Sequence, residues 1–151
     1  MIVRLPSALT TARVAATPET VKKLTAAGHH RVLIQTGAGE AASVPDSEFI
    51  AAGASIASSA TDVFQRSEIV LKVRPPEASE LGLIRKDTIL VGLLNPYDAA
   101  AVESYARQGL TGFAMEWLPR ISRAQAMDVL SSQANIGGYK AVVLAANEYQ
   151  R

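Results

Sequence analysis

The side chains of this 151-residue chain best suited to directional chemistry lie in one stretch, Pro119 to Tyr139, which reads P-R-I-S-R-A-Q-A-M-D-V-L-S-S-Q-A-N-I-G-G-Y. Gln125, Asp128, Ser132, Asn135 and Tyr139 follow at intervals of three and four, the spacing that sets side chains on one face of a helix. Ser131 sits beside this stripe and Arg120 just before it. Ordinary solvated helix faces are rich in Lys and Glu. This one offers an amide, a carboxylate, hydroxyls and an arginine fork, groups that together can hold a carboxamide and a ribose. The same residues also have a plainer use. Ser122 with Gln125 is an S-x-x-Q capping box, Asp128 can pair with Arg120 or Arg123, and surface helices normally carry a polar face. On the pattern alone both readings stand.

Two weaker signals lie upstream. Gly37-Ala38-Gly39-Glu40-Ala41-Ala42 matches the G-x-G-x-x-G/A dinucleotide fingerprint in form. Ser43-Val44-Pro45 interrupts any helix opening on those glycines, and Ser55 to Ser58 supplies no acid for a ribose. A glycine turn after a strand is expected there instead. Lys72, near the end of Ile69-Val70-Leu71-Lys72-Val73, stands where open α/β sheets gather ligands. It can hold an anion or simply snorkel from a strand end; Arg13 can join the same cleft or sit on the surface.

Composition narrows the classes. Apolar residues make up 48% of the chain and charged residues 19%, with a formal net charge of +1. That suits one domain with a sizeable core, and the lack of a basic block argues against a nucleic-acid partner. The chain has no cysteine, which excludes disulfides and thiolate metal sites. No signal-peptide pattern and no apolar run near the ~20 residues that span a bilayer is present, so a soluble piece is expected.

Alternating β-rich and helical stretches predict an α/β fold with a largely parallel, Rossmann-like or flavodoxin-like sheet flanked by helices. Strands are expected at Ile2–Leu5, Arg31–Gln35, Ser55–Ala57, Glu68–Val73, Thr88–Leu94 and Thr111–Met115. A first helix starts at Thr17-Pro18-Glu19 and stops at Gly28. Others cover Asp46–Ala52 and Tyr97–Arg107. Everything from Ser122 to Tyr149 reads as one long C-terminal helix capped by Ser122, with Met127, Leu130, Ala134, Gly137, Ala141 and Leu144 as its packing side. Globular helices average ~11–12 residues, so this helix is expected to bridge to a second body.

The Pro119–Tyr139 stretch resembles the signature of the alpha subunit of proton-translocating NAD(P) transhydrogenases. The likeness extends to Arg13-Val14-Ala15-Ala16-Thr17-Pro18, Gly37-Ala38-Gly39, Ala52-Gly53-Ala54 and Leu71-Lys72-Val73; alanine dehydrogenases share these shorter motifs. The resemblance implies that residues 1–151 are the N-terminal half of an NAD(H)-binding domain, whose fingerprint-bearing Rossmann half is absent from the chain. It implies a nicotinamide-end loop of Arg120, Ile121, Ser122, Arg123, Gln125 and Asp128, with Ser131 and Tyr139 nearby. Hydride would pass from NAD(H) to NADP(H) held by another domain, coupled to proton translocation by a membrane domain. The complex would be a homodimer at the cytoplasmic side of the inner membrane, and this chain alone would be inactive. The opening, Pro6 to Thr11, is shorter and less acidic than the family's usual run before Arg13.

An alanine dehydrogenase-like half is the competing enzyme reading. There the residues matching Arg13 and Lys72 bind the keto acid and a histidine follows the next strand; here that place reads Leu94-Asn95-Pro96, and the two histidines are His29 and His30. A non-catalytic scaffold that only pairs with a partner chain is the third.

Overall fold

A computed structural model describes residues 2–3, 13–26, 28 and 30–149. The chain divides into two compact units, Met1–Ala114 and Met115–Arg151. The first is a six-stranded, wholly parallel sheet of β1 (Ile2–Val3), β2 (Leu33–Gln35), β3 (Ser55–Ala57), β4 (Ile69–Lys72), β5 (Ile89–Gly92) and β6 (Thr111–Ala114). The strand order is β3-β2-β1-β4-β5-β6, the order of a dinucleotide-binding doubly wound sheet, with its switch point between β1 and β4. The expected α/β class with a parallel, Rossmann-like sheet is therefore what the chain adopts. The Arg4–Leu5 end of the expected first strand, the Pro6–Thr11 opening and His29 lie outside the described residues.

Right-handed crossovers decide which face each helix covers. Helices α1 (Pro18–Ala26) and α2 (Asp46–Ala51) pack on one face, where Val21 and Phe49 meet Ile34, Val32 and Leu71. Direction reverses after β3. Helices α3 (Ala60–Arg66), α4 (Ala78–Leu81) and α5 (Ala99–Arg107) take the other face, where Phe64, Leu81 and Tyr105 meet Val70, Leu90 and Leu94. Leu33, Ala57 and Val63 form a third cluster on that side.

Local chemistry sets the helix ends. Thr17 Oγ1 accepts from the Thr20 amide at 3.3 Å, and Gly28, at φ +73°, follows α1. Asp98 accepts from the Ala100 and Ala101 amides at 3.0 and 3.2 Å and starts α5, which Gly109 (φ +72°) closes. Two helices go beyond the sequence expectation. Ser59 caps α3 by accepting from the Asp62 amide at 3.1 Å. A reciprocal box of Glu77 and Glu80 opens the single-turn α4.

The second unit holds 3-10 turns at Met115–Trp117 and Ser122–Met127 and the helix α6 (Val129–Glu148). This corrects one expectation. The C-terminal helix does not begin at Ser122, and Ser122 caps nothing: the residue before the 3-10 turn is Ile121, with no side-chain cap. The cause is Asp128, whose short carboxylate competes for backbone amides and re-starts the helix one residue later. No residue of α6 is buried, and Met127, Leu130 and Leu144 are exposed.

Candidate functional site

The stretch singled out by its chemistry folds as a loop, a 3-10 turn and a helix start, in that order. The Ile121 amide bonds to the Pro119 carbonyl at 2.9 Å, and the Ala124 amide to the Ile121 carbonyl at 2.9 Å. Ala124, 5% exposed, is the buried anchor of the turn. A 3-10 helix has three residues per turn, so side chains three apart eclipse. Ser122, Gln125 and Asp128 therefore line up along one edge, and Ser131 continues the series into α6.

Asp128 is the joint. Its Oδ1 accepts from the Ser131 amide at 3.0 Å and its Oδ2 from the Ser131 hydroxyl at 2.6 Å, while its carbonyl accepts from the Ser132 hydroxyl at 3.0 Å. These Ser131 bonds hold the Asp128 carboxyl below its ordinary range, and the Arg120 guanidinium adds to the effect. The carboxylate is thus ionised and fixed at the positive end of a helix dipole.

Arg120, Ile121, Ser122, Gln125, Asp128 and Ser131 line one open pocket of about 330 Å³. That is at the small end of ligand-site volumes. It joins a guanidinium, a primary amide, a carboxylate and two hydroxyls, a set able to grip a carboxamide and a vicinal diol. Six of the eight residues expected from sequence are brought together. Arg123 is exposed but does not line the pocket. Nor does Tyr139, which is 75% exposed on α6, eight residues beyond Ser131 and hence roughly 12 Å along the axis. Ser132 and Asn135, members of the expected stripe, are also outside it.

The upstream candidates resolve differently. Lys72 neither snorkels nor offers a bare ammonium. It is buried at the end of β4 and ion-paired with Glu80 of α4, with the Phe64 ring 6.0 Å from its Nζ. Glu80 also accepts from the Glu77 amide at 2.9 Å, so the capping box orients the carboxylate that Lys72 meets. Nothing in the spacing of Lys72 alone shows this; Glu80, eight residues on, is the partner that sequence reasoning misses. Arg13 is exposed. The glycine turn after β2 is closed from within: Asp46 accepts from the Thr36 hydroxyl at 2.7 Å and from the Gly37 amide at 3.0 Å. A carboxylate of the chain already occupies the amide that a phosphate would need, and a 3-10 turn, Glu40–Ala42, stands where a fingerprint helix would open.

Comparison with known proteins agrees with the strand order. Residues 7–137 match the family described as alanine dehydrogenase/PNT, N-terminal domain. The chain is 45% identical over 141 residues to NAD(P) transhydrogenase subunit alpha of Cereibacter sphaeroides, covering 93% of this chain and 27% of that protein. Alanine dehydrogenase of Mycobacterium tuberculosis is 34% identical over 140 residues, covering 92% and 37%. The crystal structure of transhydrogenase from Sinorhizobium meliloti superposes with a TM-score of 0.92 at 43% identity, over 99% of this chain and 45% of that one. The chain therefore spans less than half the length of these relatives. A match over most of its length, with the strand order of a dinucleotide-binding sheet, makes it a member of the alanine dehydrogenase/PNT N-terminal domain family.

Proposed function

We propose that this chain supplies the nicotinamide-end loop of an NAD(P) transhydrogenase. The observation that carries the proposal is the pocket of Arg120, Gln125, Asp128 and Ser131, set on a 3-10 edge and locked by the cap of α6. In this reading the Arg120 and Gln125 side chains fix the carboxamide of NAD(H), and Asp128 and Ser131 meet the neighbouring ribose. Ile121 and Ser122 form the wall, with Arg123 and Tyr139 closing over the cofactor from outside the pocket. The side chains orient; the nicotinamide carries the hydride.

The fingerprint-bearing half of the domain would be the immediate partner. NADP(H)-binding and membrane domains would complete a homodimeric complex on the cytoplasmic side of the inner membrane, where hydride transfer from NAD(H) to NADP(H) is coupled to proton translocation. The higher identity to transhydrogenase alpha subunits than to alanine dehydrogenase supports this branch of the family. So does the absence of a histidine at Leu94-Asn95-Pro96. No described helix is long and apolar enough to cross a membrane; in this reading the membrane step belongs to other parts of the complex.

The test is calorimetric titration with NADH. The chain alone should bind weakly, since Asp46 fills the glycine turn. Joined to the fingerprint-bearing half of a transhydrogenase alpha subunit, it should bind NADH and, with an NADP(H)-loaded NADP(H)-binding domain supplied as acceptor, transfer hydride. In that joined protein Arg120→Ala and Gln125→Ala should slow single-turnover transfer by up to ~100-fold, the scale of small misplacements. Parent rates in both variants would remove the loop from the cofactor site.

A further inference from the structure

We propose that the pocket of Arg120, Gln125 and Asp128 also takes the deamidated form of its dinucleotide, in which the pyridine ring carries a carboxylate in place of the carboxamide, and binds it in preference to NAD+. The inference rests on the cofactor reading above and names a second ligand for the same site. It starts from which lining groups are already spent. Asp128 and Ser131 satisfy each other, the carboxylate accepting from the Ser131 amide at 3.0 Å and from its hydroxyl at 2.6 Å. Among the described residues, neither the Arg120 guanidinium nor the Gln125 amide has a hydrogen-bond or ion-pair partner, and Arg120 acts on Asp128 only as a charge at longer range. Both side chains line the pocket and both are exposed.

The unspent capacity of the pocket is mostly that of a donor. Arginine is a planar fork of N–H groups with no acceptor, and a glutamine amide donates or accepts according to which way it is turned. A carboxamide gives the fork a single oxygen. It also brings N–H groups of its own, which then need acceptors from Gln125 or from the lone pairs that Asp128 has left. A carboxylate gives the fork its oxygens side by side, the bidentate match, and lets Gln125 turn its amide to donate as well. The acid therefore satisfies Arg120 more fully and asks the pocket for no acceptor.

Charge decides whether Asp128 spoils this match. Ser131 holds its carboxyl ionised, so an incoming carboxylate meets a like charge. That charge sits at the start of α6, where the helix contributes about half a positive charge. From Pro119 to Ser131 the chain also sets two arginines, Arg120 and Arg123, against the single Asp128. The local balance is positive, and an anion gains more from Arg120 than it loses to Asp128. Hydrogen bonds to an ionised group are roughly twice as strong as neutral ones, which sets the expected preference for the acid at about fivefold or more.

The test is calorimetric titration of the chain joined to the fingerprint-bearing half of a transhydrogenase alpha subunit, once with NAD+ and once with its deamidated acid, at neutral pH. The acid is expected to bind about fivefold or more tightly. Arg120→Gln removes both fork and charge and should put NAD+ first again, while Arg120→Lys, a charge without the fork, should fall between. Gln125→Glu adds an anion to the pocket and should reverse the order by an independent route. Melting curves report whether each variant is folded, and the comparison in the parent protein decides by itself where one is not. An acid that binds no more tightly than NAD+, in a protein whose NAD+ affinity falls with Arg120→Gln, overturns the inference and leaves the cofactor reading standing. A preference that survives both Arg120→Gln and Gln125→Glu overturns it too, because another part of the protein then reads the carboxylate. A parent that binds neither dinucleotide, or affinities that no variant moves, removes the loop from the cofactor site and the inference with it.

Discussion

Removing the Glu80 carboxylate should be among the most damaging single changes in the first unit. Glu80 has two functions in one side chain. It pairs with the Lys72 ammonium, whose side chain is 1% exposed against 10% for its own, and it accepts from the Glu77 amide to close the box of α4. Breaking a buried pair by deleting one partner costs about 3–5 kcal/mol, because the remaining ion keeps its desolvation penalty without its carboxylate. Loss of the box adds a few tenths to about 1 kcal/mol. Domains of this size are stable by about 5–15 kcal/mol, so Glu80→Ala would remove about a fifth or more of the total. In a melt that is a fall of roughly 7–24 °C at about 2–4 °C per kcal/mol. Equilibrium urea unfolding at neutral pH measures it, with the double variant Lys72→Met/Glu80→Leu as control. Replacing both ions by apolar groups of similar size should recover most of the loss. A cost below about 1 kcal/mol for Glu80→Ala, or a double variant as unstable as the single one, would show that the pair is not a buried ion pair of this kind.

Three further outcomes follow from particular contacts. A Cβ at Gly92 would overlap the Lys72 carbonyl oxygen, backbone of the paired strand that cannot swing aside. Gly92→Ala should therefore cost upwards of about 3 kcal/mol, while Gly82→Ala, which meets open space, stays within about 1 kcal/mol of the parent. Ser59→Ala removes the cap of α3 and should cost about 1 kcal/mol by urea unfolding, with Ser59→Asp restoring it. Because the Asp128 carboxyl is held below its ordinary value of 3.8, its contribution to α6 is complete above that value and fades as the pH falls through the lower folded-state value. Amide exchange at Ser131 and Ser132 should therefore show no pH-dependent fraying of the helix start above pH ~4 beyond intrinsic chemistry. Fraying should set in below it, and Asp128→Asn should blunt that transition.

The sheet is legible in the sequence because its central strands, Ile69–Lys72 and Ile89–Gly92, are short apolar runs with proline soon after them, and because parallel crossovers leave little choice of layer. The runs Glu68–Val73 and Thr88–Leu94 exceed the strands they mark by one or two residues at each end. Helix α3 escapes detection although Ser59 and Asp62 form an S-x-x-D start. Helix α4 is a single turn, held by the Glu77–Glu80 box, and no periodicity can announce a single turn.

The candidate site shows a different kind of gap. The 3.6-residue period of one continuous helix groups Gln125 and Asp128 with Ser132, Asn135 and Tyr139. The chain instead follows a period of three up to Asp128, and so gathers Ser122, Gln125, Asp128 and Ser131. The choice between the two periods is made by one side chain. Asp128 can end the 3-10 turn only because its carboxylate captures both the amide and the hydroxyl of Ser131, an arrangement that local sequence permits and that helical periodicity hides. The pocket and the helix cap are consequently not alternatives, as capping and binding look in the sequence. The bond that starts α6 is the bond that holds the carboxylate in line with Gln125, so a substitution at Ser131 should disturb the pocket and the helix start together, whereas one at Gln125 should leave the helix intact.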